Sequence, residues 1–325
     1  MRPFEYATAK TKQQAVALLN SDAVVLAGGS DLLSLMKDDV VTPKRLVNIK
    51  EIPDLSAVKN VKGETVIGSL KTLGELAETA GWDRQFPALH EALNEAASPQ
   101  IRNVATLGGN LCQRPRCWYF RNGLGLLPKG PDGESLVLKG DNRYHAILGN
   151  EGPAYFVSPS TIAPALIAYG ARLRLLGPKG TREVELEKFY RIPTSEKERE
   201  HDLAANEIVT EVVIPSAEGI KSGYYEVRQK EAFDWPLTVA AVALTMDGEN
   251  VKSARVVLGH VAPTPWVSKE AADALVGKPI NDETAMAAAN AAVAQAKSLG
   301  KNKYKITLAK VAVKRALLNA AKGGA

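Results

Sequence analysis

Apolar and polar positions first fall into a helical spacing over 12–20, and a short β-branched run at 23–26 predicts a strand. That strand stops abruptly at Ala27-Gly28-Gly29-Ser30-Asp31, and an apolar helical turn follows over 32–36. The first glycine pair therefore sits between a strand and a helix. Further short strands are expected at 45–49 and 65–68. Thr72 with Glu75 three residues on has the spacing of a capping box and opens a helix. Residues 91–97 read as helical until Ser98-Pro99, because proline disfavours the helical conformation in the residue before it. A second glycine pair, Gly108-Gly109, comes soon after in a mixed polar setting.

From 121 to 142 the chain is rich in Gly, Pro, Asp and Lys with little periodicity, which predicts an inserted surface loop over 122–142. Order is expected again at 143–148 and 154–157, then a helix over 161–169 and a strand over 172–176. The charged run 195–202 reads as a solvated loop, and 208–214 as a strand ending at Pro215. Gly219, Ser222 and Gly223 interrupt the pattern, which places a domain boundary near 216–221. Beyond it, 223–227, 239–246 and 251–261 read as antiparallel strands, the last two joined by Asp247-Gly248, a strong hairpin signal. Helices are expected over 269–275, 283–299 and 308–321. The fold class is α+β, with domains over 1–218 and 219–325 and the first divided into subdomains of about 1–58 and 59–218.

At 325 residues, with 45% apolar and 24% charged residues, the chain has ordinary globular composition and room for two or three domains, which excludes disorder as its main character. Lys+Arg 41 against Asp+Glu 36 gives +5, and the two signs are interspersed, a pattern of surface chemistry and not of nucleic-acid binding. The only cysteines, Cys112 and Cys117, lie in one short segment and build no disulfide framework, so a reduced, cytoplasmic setting is expected. No stretch reaches the roughly 20 apolar residues of a membrane span, and the N-terminal residues have no export-signal core.

Both glycine pairs admit one chemical reading: residues without a Cβ reach positive φ and let successive backbone N–H groups converge on an anion such as a diphosphate. A helix starting directly after the first would add its dipole. Each pair taken alone reads as a tight turn before it reads as an anion site, and neither matches the GxGxxG fingerprint of a Rossmann site. His90, His145, His201 and His260 are scattered without paired spacing, so no metal site is expected. There is no GxSxG elbow, P-loop or HExxH, and no catalytic residue is assigned. Trp118-Tyr119-Phe120, flanked by Arg116 and Arg121, reads as core or interface packing before it reads as a stacking surface for nucleic acid.

In order, AGGSDLLSLMK (27–37), SPQIRNVATLGGNLCQRPRCWYFR (98–121), GDNRYHAILG (140–149) and SPSTIAPALIAYGARL (158–173) resemble the FAD subunits of the xanthine dehydrogenase family. The likeness is to the bacterial aldehyde oxidoreductase and 4-hydroxybenzoyl-CoA reductase type and covers essentially the whole chain. It implies a PCMH/vanillyl-oxidase-type FAD-binding domain followed by a C-terminal α+β domain like that of the CO dehydrogenase flavoprotein. It also implies that Ala27, Gly28, Gly29, Ser30, Asp31, Leu32 and Leu33 wrap the FAD diphosphate. Thr106, Gly108, Gly109 and Asn110 would support it from the other side, and Ser98 and Arg102 would help shape the pocket.

Three positions depart from that pattern. Cys117 matches the first ligand of a [4Fe-4S] cluster held by some relatives, but 122–141 contains no cysteine, so no such cluster is expected here. Thr161 stands where the family usually has an aspartate, and Glu226 where it usually has a lysine, both near the cofactor. The implied function is electron transfer: a molybdopterin-binding large subunit and a [2Fe-2S] small subunit pass electrons through FAD to an external acceptor. Two rivals remain, a stand-alone flavin reductase and a structural or assembly subunit that has lost FAD.

Overall fold

The computed structural model describes residues 1–230 and 234–323, which form three sheets, each with its own helices. β1 (Glu5–Thr8), β2 (Ala23–Leu26) and β3 (Arg45–Asn48) make a parallel sheet in the order β1-β3-β2. Parallel neighbours need crossovers, and the chain supplies them with the helices Lys12–Leu18 and Leu32–Lys37. Ala15 and Val16 of the first are buried against Val47 and Ile49, while Thr11 accepts the Gln14 N–H at 3.1 Å and caps it.

The second sheet is antiparallel: β4 (Val58–Val61), β5 (Glu64–Gly68), β6 (Arg172–Gly177), β7 (Gly180–Glu185) and β8 (Ile208–Ile214), in the order β4-β5-β8-β6-β7. The long excursion between β5 and β6 carries the second glycine pair and the helices Pro87–Glu95 and Ala163–Ala168. The capping box at Thr72 is present, with both the Thr72 and Glu75 N–H groups satisfied. β1, β4 and β7 are not anticipated by the hydrophobic pattern. They are sheet edges; every β4 side chain is exposed, and β7 alternates in burial but has Val184 as its one large apolar residue, so no hydrophobic alternation marks them.

The third sheet is a meander of β9 (Ile220–Val227), β10 (Thr238–Asp247), β11 (Asn250–Gly259) and β12 (Trp266–Val267). β10 is buried on both faces and its period of two sorts it between two cores. Ala240, Val242 and Leu244 meet the helices Lys269–Asp273, Asp282–Ala292 and Tyr304–Lys322, whereas Val239, Ala241 and Ala243 join the core of the second sheet. Gly223, which looks like an interruption, lies inside β9. A Cβ there would overlap the Ala316 carbonyl, so the glycine lets the last helix lie on the strand.

Three segments differ from the sequence reading. The helix expected to reach 299 ends at Ala292, because the following chain is drawn onto 142–150. Asn142 donates to Leu299 O at 2.8 Å, Asn150 to Lys297 O at 2.8 Å and Asn302 to Ala146 O at 3.0 Å. Residues 143–148 and 154–157, where order is expected, are held without a strand: Ile147 and Leu148 both donate to Val261 O and Ala146 to Tyr155 O. The charged run is not wholly solvated, since Glu200 and His201 are buried beneath Arg114 and beside Phe189. The 122–142 segment is superficial over much of its length, yet Leu126, Leu127 and Val137 anchor it in the interior. Among the described residues no helix is long and apolar enough to cross a membrane.

Candidate functional site

The first glycine corner emerges from the C-terminal end of β2, where Gly29 takes φ +73° and Leu33 N–H closes the turn onto Gly29 O at 3.1 Å. A Cβ on Gly28 would overlap the Val104 carbonyl oxygen, so only glycine lets the corner lie against the 104–106 segment. The first corner therefore lies against the segment that leads into the second. Among the described residues the N–H groups of Gly28, Gly29, Ser30 and Asp31 have no acceptor within the chain. Four adjacent amide donors left open on a turn form a concavity for an anion.

Asp31 sits at that corner as an acid that would repel such an anion, and it is neutralised. Its carboxylate pairs with Arg116 at 3.0 Å and Arg121 at 2.7 Å and accepts the Arg114 N–H at 2.9 Å. Arg121 also donates to Pro115 O and Arg114 O, which binds the 114–121 segment to the corner. Two guanidinium charges against one carboxylate leave the corner net positive. Burial pulls the Arg116 pKa down to about 10, still far above neutrality. The RPRCWYFR motif holds these arginines, but nothing in the spacing ties them to an aspartate more than eighty residues earlier; only the folded chain shows it.

The second corner is built differently. Thr106 caps the short helix Leu107–Leu111 by accepting the Gly109 N–H at 3.2 Å. Leu107 donates to Lys71 O at 2.9 Å, Gly108 to Ser69 O at 2.8 Å and Asn110 to Thr106 O at 2.8 Å. Its amides are thus spent within the fold, and the corner offers a rigid backing surface in place of a second row of donors. The Asn110 side chain accepts the Ser160 hydroxyl at 2.6 Å, which ties this corner to the 158–163 segment. Ser98 and Arg102 act locally: Ser98 caps Pro99–Arg102, and Arg102 donates to Asn94 O at 2.8 Å and Ala96 O at 3.0 Å, closing the end of Pro87–Glu95. Leu33, Ile101 and Val104 are exposed apolar side chains on these two segments.

Thr161 is buried just before the helix Ala163–Ala168. Glu226 is also buried, accepts the Tyr224 hydroxyl at 2.6 Å and pairs with Arg228 at 3.0 Å; burial pushes its pKa up to about 7. Cys117 lies against an apolar cluster of Leu35, Phe120, Leu126, Leu127, Ala154 and Phe156. Among the described residues no group of three His, Cys, Asp or Glu side chains is placed to hold a metal ion.

Residues 2–217 match the family model described as the FAD binding domain in molybdopterin dehydrogenase, and 223–320 that of the CO dehydrogenase flavoprotein C-terminal domain. The chain is 32% identical over 314 residues to the aldehyde oxidoreductase FAD-binding subunit PaoB of Escherichia coli K12, covering 95% of this chain and 96% of that one. It is 32% identical to the carbon monoxide dehydrogenase medium chain of Hydrogenophaga pseudoflava, covering 97% and 96%. A solved structure of carbon monoxide dehydrogenase from that organism, lacking the Mo-pyranopterin moiety of its cofactor, superposes with TM-score 0.77 at 30% identity, covering 100% and 99% of the two chains. With both halves matched and relatives aligned along nearly their whole length, the chain belongs to the FAD-binding subunits of the molybdenum hydroxylases, the xanthine dehydrogenase family.

Proposed function

We propose that the FAD diphosphate lies on the amides of Gly28, Gly29, Ser30 and Asp31, with Ala27, Leu32 and Leu33 completing the corner. Thr106, Gly108, Gly109 and Asn110 back it, and Ser98 and Arg102 hold the approach in shape. The observation that carries this reading is the row of unpartnered amides, held open by a glycine whose Cβ position is taken by the Val104 carbonyl. Arg116 and Arg121 cancel the one carboxylate that would oppose a diphosphate. Bound flavin would supply a redox centre that accepts electrons singly and releases them in pairs. The chain's own residues bind and orient it, and none acts as a nucleophile or acid.

The relatives named as medium chains support a place within a larger assembly. In it a molybdopterin-binding large subunit oxidises the substrate and a [2Fe-2S] small subunit delivers the electrons, which this chain hands to an external acceptor. The division near residue 218 separates the FAD-binding part from the part that completes the subunit contacts, and a cytoplasmic complex is the setting. The apolar packing of Leu126, Leu127 and Ala154 around Cys117 supports a subunit without an iron-sulfur cluster of its own. The test is flavin content. The purified chain should show FAD absorbance at about 450 nm and no bound iron. Gly28→Val, with unchanged far-UV dichroism, should lose most of that flavin because the side chain meets Val104. Wild-type chain that stays colourless after incubation with FAD would leave the flavin-free assembly subunit as the better reading.

A further inference from the structure

A cavity of about 190 Å³ lies between the 116–118 segment and the ends of β9, β10 and β11. An apolar protein cavity of roughly 150 Å³ admits benzene, so this one accepts a single six-membered ring with small substituents. Its wall carries the rings of Trp118, Tyr144, Phe156 and Trp235, which suit a planar occupant. Trp235 is 46% exposed and stands at the mouth, where the Arg116 guanidinium lies 4.4 Å from its ring centre.

The wall also carries polar side chains; the Asp234 carboxylate accepts the Lys230 and Trp235 N–H groups, and others are not fully used. Cys117 Sγ is 3.2 Å from His145 Nε2. Burial raises the thiol pKa and pulls that of the imidazole down to about 4, so both are neutral at pH 7 and the thiol donates to Nε2. The ring proton of His145 is then on Nδ1, which is buried with no partner among the described residues; His260 Nε2 is in the same condition. Both histidines are 3% exposed. Gln229 accepts the Tyr144 hydroxyl at 2.9 Å, and among the described residues its amide N–H groups have no acceptor. Lys305 does not compete, since its ammonium is spent on the carbonyls of Tyr144, His145 and His260 at 3.1, 3.1 and 2.7 Å. A flat ring with acceptor oxygens on its rim would meet aromatic faces and find spare donors.

Arg116 lines this cavity and pairs with Asp31, so one side chain separates it from the first glycine corner. We propose that the cavity binds the ring of a one-ring quinone, the acceptor to which this subunit hands its electrons; the proposal rests on the electron-transfer reading above. The balance is complete: the two quinone oxygens gain two electrons from the complex reduced by its substrate and two protons from solvent at the mouth. The quinone leaves as hydroquinone and the complex is reoxidised.

The experiment is calorimetric titration of the purified complex with dimethoxy-methyl-benzoquinone, with NAD as a second arm and flavin absorbance recorded on the same sample. Binding of one quinone per chain is expected. Val157→Trp, which fills the cavity, and Trp235→Ala, an exposed site that tolerates change, should each weaken binding about tenfold or more. Flavin content and ferricyanide reduction should stay unchanged, while quinone reduction loses saturation. Quinone binding unaltered in both variants, no binding below millimolar concentration, or competition by NAD alone would overturn the site. Because binding is read without turnover, a colourless sample signals failure of the flavin reading and not of the cavity.

Discussion

Single residues here are set by partners far along the chain. Asp31 needs Arg116 and Arg121, and Glu226 is taken out of water against Tyr224 and Arg228. Glu226 has a measurable consequence because burial lifts its folded-state pKa to about 7 from 4.5. Below about pH 4.5 the group is protonated in folded and unfolded chains alike and costs nothing. As pH rises the unfolded carboxyl ionises first, so stability falls until the folded carboxyl also ionises near pH 7. A displacement of that size is worth roughly 3 kcal/mol. Glu226→Gln keeps an acceptor for Tyr224 and leaves Arg228 its pair with Glu95. The variant should therefore match wild type in urea unfolding at pH 4 and exceed it by about 2 kcal/mol at pH 8. A difference that does not change with pH would show that the carboxyl is not held neutral.

At the scale of elements, what was legible in the sequence is what faces a core. β10 reads as a continuous apolar run because both its faces are buried, and the first glycine corner reads as a strand-to-helix turn because it is one. Edge strand β4 was illegible, since solvent on both faces erases the alternation that would mark it, and β7 was illegible because Arg182 takes one of its two half-buried inner positions and leaves Val184 as its one large apolar residue. Half of the candidate site was legible in the same sense. The glycines announce themselves, but the spending of the Leu107, Gly108 and Asn110 amides inside the fold depends on the 69–71 backbone and left no local signal. The early end of the Asp282–Ala292 helix has the same origin, in side-chain amides that recruit backbone from a distance. Asn302 is fully buried, donates to His145 O at 3.2 Å and Ala146 O at 3.0 Å, and accepts Leu299 N–H at 2.8 Å. Asn302→Leu keeps the volume and strands those groups, each costing about 1 to 3 kcal/mol. A loss of at least about 2 kcal/mol in denaturant unfolding is expected; a loss under about 0.5 kcal/mol would mean water replaces the amide.

Across the whole molecule, the two matched family regions meet at residues 217–223, yet the cores do not respect that line. Val239, Ala241 and Val257 of the third sheet share one buried cluster with Leu166 and Ile167 of Ala163–Ala168 and with Val212 of β8. The 142–150 segment, which precedes the line, is held by Asn142, Asn150 and Asn302 to 297–302, which follows it. Cutting near 218 would expose an apolar sheet face on one side and leave a helix uncovered on the other. Regions that share a core to this extent unfold together, whereas domains joined by a slim linker separate. The chain should therefore unfold in urea as one transition, with tryptophan fluorescence, which senses Trp82 in the core of the second sheet and Trp266 against the helix-covered core of the third, coinciding with far-UV dichroism. Residues 1–218 expressed alone should aggregate. Two resolved transitions, or a soluble and cooperatively folded 1–218 fragment, would show that the shared cluster contributes little and that the third sheet is an appended module.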